Sequence, residues 1–291
     1  MAALDGRVAI VTGAGRGIGR SVALLLASEG ASVIVNDLGT ASDGKGQDSG
    51  PAHDVVATIT DAGGKAIANG ADVTDHVAAE NLIRTAVEEF GRLDILVNAA
   101  GFLRDRMIFN MSEQEWDDVI RVHLKGTFNT TKFAAVHWRS LRDESAQNRI
   151  INFTSRAGLE GAPGQPNYSA AKLGIVSLTW STAQALAKYG VTANAISPAA
   201  ATRMTDTVPA DRLPSGALSA ERSPDNVAPI VAYLASPRSG WITGQTFRSA
   251  GYEVSLYSKP VPISRLIGTG PWEVDALGEQ VEASFGPLLG R

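Results

Sequence analysis

The sequence predicts an α/β fold: one doubly wound parallel sheet of about seven strands, with helices on both faces and a C-terminal tail. Two observations carry this. Short β-branched runs alternate with helix-like stretches along most of the 291 residues. A glycine-rich turn joins the first such run to the first helical stretch.

The elements follow in order. Arg7 to Thr12 (RVAIVT) is a strand, and Gly17 to Glu29 a helix with the apolar face Ile18, Val22, Leu25, Leu26. Gly30 suits the end of that helix, and Ser32 to Asp37 is the second strand. Leu38 to Asp54 is rich in Gly, Ser and Asp, which predicts a long surface loop. Lys65 to Ala68 is a short strand, Asp75 to Phe90 a helix, and Leu93 to Asn98 a strand. Ser112 and Glu115 form a capping box that opens one long helix toward Ser140. Arg149 to Thr154 is a strand. Pro166 to Tyr189 is a helix with proline in its first turn and Gly190 beyond its end. Val191 to Ile196 is a strand, Ser223-Pro224 starts a helix toward Ala235, and Gln245 to Ser249 is the last strand. Arg203 to Ser223 predicts a mobile lid, and Ser249 to Arg291 a tail without a clear strand. One domain accounts for the chain, with a core of about residues 5–250 and an extension of about 251–291.

Composition narrows the function. The chain carries 26 Lys+Arg and 30 Asp+Glu, a net charge of −4, so nothing suggests neutralisation of a nucleic-acid backbone. No cysteine is present, which excludes disulfides, thiolate nucleophiles and cysteine metal sites. His53, His76, His123 and His137 show no metal spacing, so no metal is expected. The N-terminus lacks a signal-peptide pattern, and no apolar run reaches the ~20 residues of a membrane span. A cytoplasmic location is expected. Glycine, at 30 residues, exceeds its usual share of ~7%.

Two constellations carry chemistry. Thr12-Gly-Ala-Gly-Arg-Gly-Ile-Gly19 follows a strand and precedes a helix. Gly13, Gly15, Arg16, Gly17, Ile18 and Gly19 would therefore bring bare backbone and a helix N-terminus to a pyrophosphate. The spacing differs from G-x-G-x-x-G. Asp37 ends the second strand, where a carboxylate can accept both hydroxyls of an adenosine ribose. It would repel a 2′-phosphate by about 4 kcal/mol per charge pair at ~4 Å and an effective dielectric near 20. Arg16 acts in the opposite sense, but Asp37 is expected to decide, placing NAD ahead of NADP.

The second constellation is Ser155 at a strand end with Tyr168 and Lys172, which are i and i+4 on one helix. A nearby ammonium stabilises a phenolate, so Lys172 is expected to lower the Tyr168 pKa. Tyr168 would move a proton, Ser155 would hold the substrate oxygen, and a nicotinamide would move the hydride. Ser169-Ala-Ala-Lys172 also matches S-x-x-K, but no S-D-N or K-T-G accompanies it, and G-x-S-x-G is absent.

T-G-x-x-x-G-x-G, Asn98-Ala-Ala-Gly101, and Ser155 with Tyr168-x-x-x-Lys172 together resemble the short-chain dehydrogenase/reductase family over about residues 5–250. The resemblance implies a Rossmann-like fold and a Ser–Tyr–Lys site. It further implies that Asp72 and Val73 lie near adenine, that Asn98, Ala99, Ala100 and Gly101 line the cofactor, and that Pro198, Ala199, Ala200 and Thr202 approach the nicotinamide. Two positions depart from the family: Ala99 stands where Asn is usual, and His123 stands where the fourth catalytic residue is an Asn. His123 is either a structural histidine or a contact to water or backbone near Lys172.

Val35-Asn-Asp-Leu-Gly39, Leu103-Arg-Asp-Arg106, Val122-His-Leu-Lys-Gly126 and Ala201-Thr-Arg-Met-Thr205 narrow the likeness. They resemble the (3R)-hydroxyacyl-CoA dehydrogenase domains of peroxisomal multifunctional enzymes of type 2, also described as 17β-hydroxysteroid dehydrogenases. That group shares His123. The implied substrate is a 3-hydroxyacyl-CoA or a hydroxysteroid, oxidised with NAD. Thr243-Gly-Gln-Thr246 instead resembles bacterial reductases, which keeps open an NADPH-dependent 3-oxoacyl-acyl-carrier-protein or other carbonyl reductase. A non-enzymatic NAD-binding sensor or scaffold is a third reading, disfavoured by an intact Ser155, Tyr168 and Lys172. A homodimer or homotetramer is expected. Trp138 and Trp180 are either outward residues that pair subunits or core residues.

Overall fold

The computed structural model describes residues 3–40, 46–201 and 220–290. Thr202, most of the expected lid and residues 41–45 of the expected loop lie outside them. Two compact units emerge, Met1–Tyr257 and Ser258–Arg291.

The first unit holds the sheet. Its strands are β1 (Val8–Thr12), β2 (Ser32–Asn36), β3 (Lys65–Asn69), β4 (Ile95–Asn98), β5 (Asn148–Phe153), β6 (Val191–Ala199), β7 (Thr246–Ala250) and β8 (Glu253–Leu256). Their order is β3-β2-β1-β4-β5-β6-β7-β8. Every neighbouring pair is parallel except β7 and β8. The doubly wound parallel sheet is therefore as expected, with one more strand than the seven read from sequence. β8 was missed because both of its faces are largely exposed, so no buried period-2 pattern marks it.

Helices cover both faces. α1 (Gly17–Ser28) and α2 (Gly50–Asp61) pack on one side with α8 (Ala228–Ala235). α3 (His76–Phe90), α5 (Gly126–Leu141) and α7 (Pro166–Leu186) pack on the other, with Trp138 buried and its Nε1 donating to Leu93 O at 2.7 Å. Trp138 is therefore core. The expected loop to Asp54 is corrected, because the chain turns helical at Gly50 with Pro51 in the first turn, and Ala52, Val55 and Ile59 are buried.

The single long helix expected from Ser112 is also corrected. The capping box is present, Ser112 Oγ accepting from Glu115 N–H, and it opens α4 (Glu113–Ile120). The hydrogen bonding then widens to π type over Arg121–Lys125 before α5 begins. Such a turn inserts an extra residue into a helix and re-aims side chains, often at functional sites. His123 lies at its centre and is buried. Between β5 and α7 lies the short α6 (Arg156–Glu160).

In the second unit, α9 (Val274–Phe285) is a single helix with no buried residue. No described helix is long and apolar enough to cross a membrane.

Candidate active site

The site forms where β1 and β4 end side by side, Thr12 paired with Asn98. The chain leaves these strands toward opposite halves of the sheet, the switch point at which open α/β sheets bind ligands. Thr12 Oγ1 accepts from the N–H groups of Ala99 at 3.1 Å and Ala100 at 3.2 Å, tying the two exits together. Gly13 has φ +65°, and a Cβ there would lie 2.7 Å from Ala100 Cα. Only glycine fits that turn.

A cleft of about 630 Å³ opens above it. Gly13, Arg16, Gly17, Ile18 and Gly19 line it, as do Asp37, Asp72, Val73, Ala99, Ala100, Gly101, His123, Tyr168, Lys172 and Pro198. Gly15, Asn98, Ser155, Ala199 and Ala200 are not among the residues that line it. Asn98 turns inward: its Nδ2 donates to Asn152 Oδ1 at 2.9 Å and its Oδ1 accepts from Thr130 Oγ1 at 2.7 Å. Its work is to hold the ends of the strands together.

Asp37 is fixed from both sides. Its Oδ2 accepts from Gly15 N–H and its Oδ1 from Gly39 N–H, each at 2.7 Å. Arg16 is already engaged, donating to Thr40 O at 3.2 Å and standing 3.8 Å from the Asp48 carboxylate. The residues present fit a dinucleotide: the glycine turn and the N-terminus of α1 for the pyrophosphate, Asp37 for a ribose.

α7 carries two of the residues that the sequence singles out, Tyr168 and Lys172. Asn167 anchors its start, its Nδ2 donating to Arg104 O at 3.1 Å and Glu115 O at 2.9 Å. One turn apart, Tyr168 and Lys172 then face the end of β5. Lys172 Nζ donates to Phe153 O at 2.7 Å and sits 5.4 Å from the centre of the Tyr168 ring. Ser155 Oγ accepts from Ala157 N–H at 3.2 Å, and the Ser155 side chain acts on the Tyr168 phenol. The sequence thus brings Ser155, Tyr168 and Lys172 together as expected.

Their protonation differs from expectation. Burial pushes the Tyr168 phenol up to about 12; the Ser155 hydrogen bond opposes this and the Asp105 carboxylate adds to it. Burial pushes Lys172 down to about 7. The expectation that Lys172 lowers the Tyr168 pKa is therefore corrected. Desolvation outweighs any help to the phenolate, and the Lys172 ammonium is directed at a backbone carbonyl.

His123 meets Tyr168 edge-on, ring centres 5.1 Å apart and planes at 84°. Its Nε2 lies 2.7 Å from Phe102 O, while Nδ1 is buried without a hydrogen-bond partner. Burial, then the Lys172 charge, lower its pKa to about 3 against the Phe102 bond. It is a neutral backbone clamp on the Gly101–Phe102 wall.

Sequence reasoning missed Thr74, Phe102, Arg104, Asp118, Arg121 and Thr154, which also line the cleft. Most are charged or polar residues that a single sequence presents as ordinary surface. Arg104 and Arg121 both approach the Asp118 carboxylate, at 4.0 and 3.5 Å.

A tyrosine that holds its proton in a dinucleotide-sized cleft is equipped for hydride exchange between a carbinol and a nicotinamide, which makes this an oxidoreductase. The family model for short chain dehydrogenases matches residues 7–213, and the chain belongs to that family. Its members bind NAD or NADP. The chain is 46% identical over 263 residues to the hydroxyacyl-CoA dehydrogenase ChsB1 of Mycobacterium tuberculosis, covering 88% of this chain and 81% of that one. It is 46% identical over 230 residues to the peroxisomal multifunctional enzyme type 2 of Mus musculus, covering 79% of this chain and 30% of that longer protein. It is 43% identical to a 3-oxoacyl-[acyl-carrier-protein] reductase of Synechocystis, covering 86% and 98% of the two chains. A crystal structure of a short chain dehydrogenase from Mycobacterium avium superposes with a TM-score of 0.88 at 47% identity, covering 98% and 96%. The likeness to the multifunctional-enzyme group read from the sequence is thereby supported.

Proposed function

We propose that the protein interconverts a secondary alcohol and a ketone with NAD, acting on a 3-hydroxyacyl-CoA or a hydroxysteroid, as a cytoplasmic homodimer or homotetramer. One observation carries the reading: Tyr168, held beside Ser155, opens onto the same cleft as the fixed carboxylate of Asp37. Asp37 favours a free ribose hydroxyl over a 2′-phosphate, and Arg16, engaged with Thr40 and Asp48, is drawn away from answering it. The names of the relatives support the thioester class. The self-association rests on the exposed apolar residues Phe128 and Val136 of α5 and Leu173 of α7.

In this site Ser155 and Tyr168 hold the substrate oxygen, and Tyr168 Oη gives or takes its proton. Lys172 shapes the charge beneath the phenol, and His123 keeps the Gly101–Phe102 wall in place. When bound, the nicotinamide supplies or accepts the hydride.

Initial rates with NAD and NADP against 3-hydroxyacyl-CoAs, hydroxysteroids and acyl-carrier-protein thioesters test the reading. NAD is expected to be preferred, and Asp37→Ala to relax that preference. A wild type that uses NADPH better than NADH overturns the Asp37 argument and favours the carbonyl reductase. Rates confined to the carrier-protein thioesters overturn the substrate class.

A further inference from the structure

Ala71 to Thr74 form one stretch of the cleft wall, and their backbone is held from behind. Asn129 on α5, fully buried, donates from Nδ2 to Val73 O at 2.9 Å and to Thr74 O at 3.2 Å. Its Oδ1 lies 3.0 Å from Nδ1 of His76, the first residue of α3. The other ring nitrogen, Nε2, lies 2.8 Å from Lys132 Nζ. Phe133 packs against both, its ring centre 4.6 Å from that of His76 and 4.4 Å from Lys132 Nζ.

These contacts have one consistent proton arrangement. An ammonium has only protons to give, so Nε2 of His76 is the acceptor and Nδ1 carries the hydrogen. Nδ1–H then requires the oxygen of Asn129 to face it, which turns the amide NH₂ toward the two carbonyls. Every polar atom of the Asn129 side chain is thereby used. The buried amide is thereby held in one orientation from both ends, by the two carbonyls and by His76 at the protein surface.

We propose that His76 and Asn129 form a latch from the surface to the cleft that fixes the Val73–Thr74 backbone and so tightens binding of the adenine half of the dinucleotide. The proposal rests on the reading that this stretch faces adenine. His76 touches no reacting group; it is a positioning residue.

Binding of ADP-ribose, followed by calorimetry, separates the possibilities. Wild-type binding is expected, showing that the cleft takes the ADP-ribose half of a dinucleotide; a wild type that does not bind overturns the dinucleotide reading and the latch with it. His76→Leu removes the donor and leaves buried Asn129 without its partner, so affinity is expected to fall about tenfold. The KM for NAD should rise in step, with kcat within about twofold. A side-chain amide can donate where Nδ1–H does, so His76→Asn is expected to restore most of the loss. Asn129→Leu should weaken binding at least as much, and His76→Leu, at an exposed position, keeps the test open if the buried variant does not fold. Unchanged ADP-ribose affinity in His76→Leu, or no recovery in His76→Asn, overturns the latch.

Discussion

Lys172 is a stability cost that the site carries for its chemistry, and the cost is measurable. Its pKa falls from 10.5 in the unfolded chain to about 7 in the fold, because burial disfavours the ammonium. Between those values the unfolded chain binds the extra proton, so stability rises with pH across this window. The full penalty applies below pH 7 and vanishes above pH 10.5. The shift of 10.5 − 7 = 3.5 units corresponds to about 5 kcal/mol at most, or about 1.4 kcal/mol per pH unit inside the window. Lys172→Met keeps an unbranched apolar stem and removes the charge, at the loss of the 2.7 Å bond to Phe153 O. Denaturant unfolding of wild type and variant at pH 7 and 9.5 isolates the group, since every other titration cancels. Wild type should gain about 3 kcal/mol on the variant over that interval, while the variant loses activity throughout. A stability difference independent of pH would refute a buried, titrating Lys172.

Tyr168→Phe should lower kcat by at least about a thousandfold while dinucleotide binding, followed by fluorescence titration, is kept, because the ring still packs against His123. Retained turnover would remove Tyr168 from its role. A phenol near 12 is protonated throughout the neutral range. From pH 8 to 10, where Lys172 has already lost its proton, carbonyl reduction should therefore be nearly flat, whereas alcohol oxidation should rise with pH, as initial rates in both directions will show.

The sequence made some of this plain and hid the rest for identifiable reasons. β1, β2 and β4 are short, largely apolar runs buried within the sheet, and β5 and β6 keep a β-branched or apolar centre, so all five announce themselves. The glycine turn and the Ser155, Tyr168 and Lys172 group were legible because each is a local pattern at fixed spacing. α2 was obscured by Gly50-Pro51, which suits a turn as well as a helix start, although Val55 and Ile59 already marked one face. The π turn was hidden because it changes hydrogen-bond register without changing which residues are apolar. His76 and Asn129 lie 53 residues apart and meet only once α3 and α5 pack on the same face. Nothing local records that pairing. The direction of the Tyr168 shift was misjudged for a related reason: spacing shows that an ammonium is near, but only packing shows how dry the phenol is.

That dryness reorders the acids of the site. In water a tyrosine and a lysine lose their protons at nearly the same pH. Here they separate in opposite directions, to about 12 and about 7, so the lysine becomes the stronger acid by a wide margin. Desolvation is the largest cause of both shifts, since it penalises whichever form is charged: the phenolate of one and the ammonium of the other. His123, lowered to about 3, stays neutral through the same range. The cluster therefore holds at most one positive charge near neutral pH and no negative one. A carbonyl oxygen arriving at Tyr168 meets a full hydroxyl donor, as reduction requires. An alcohol arriving there meets a group that must first surrender its proton against the desolvation that holds it. The fold thus sets the protonation states from which either direction of the reaction must begin.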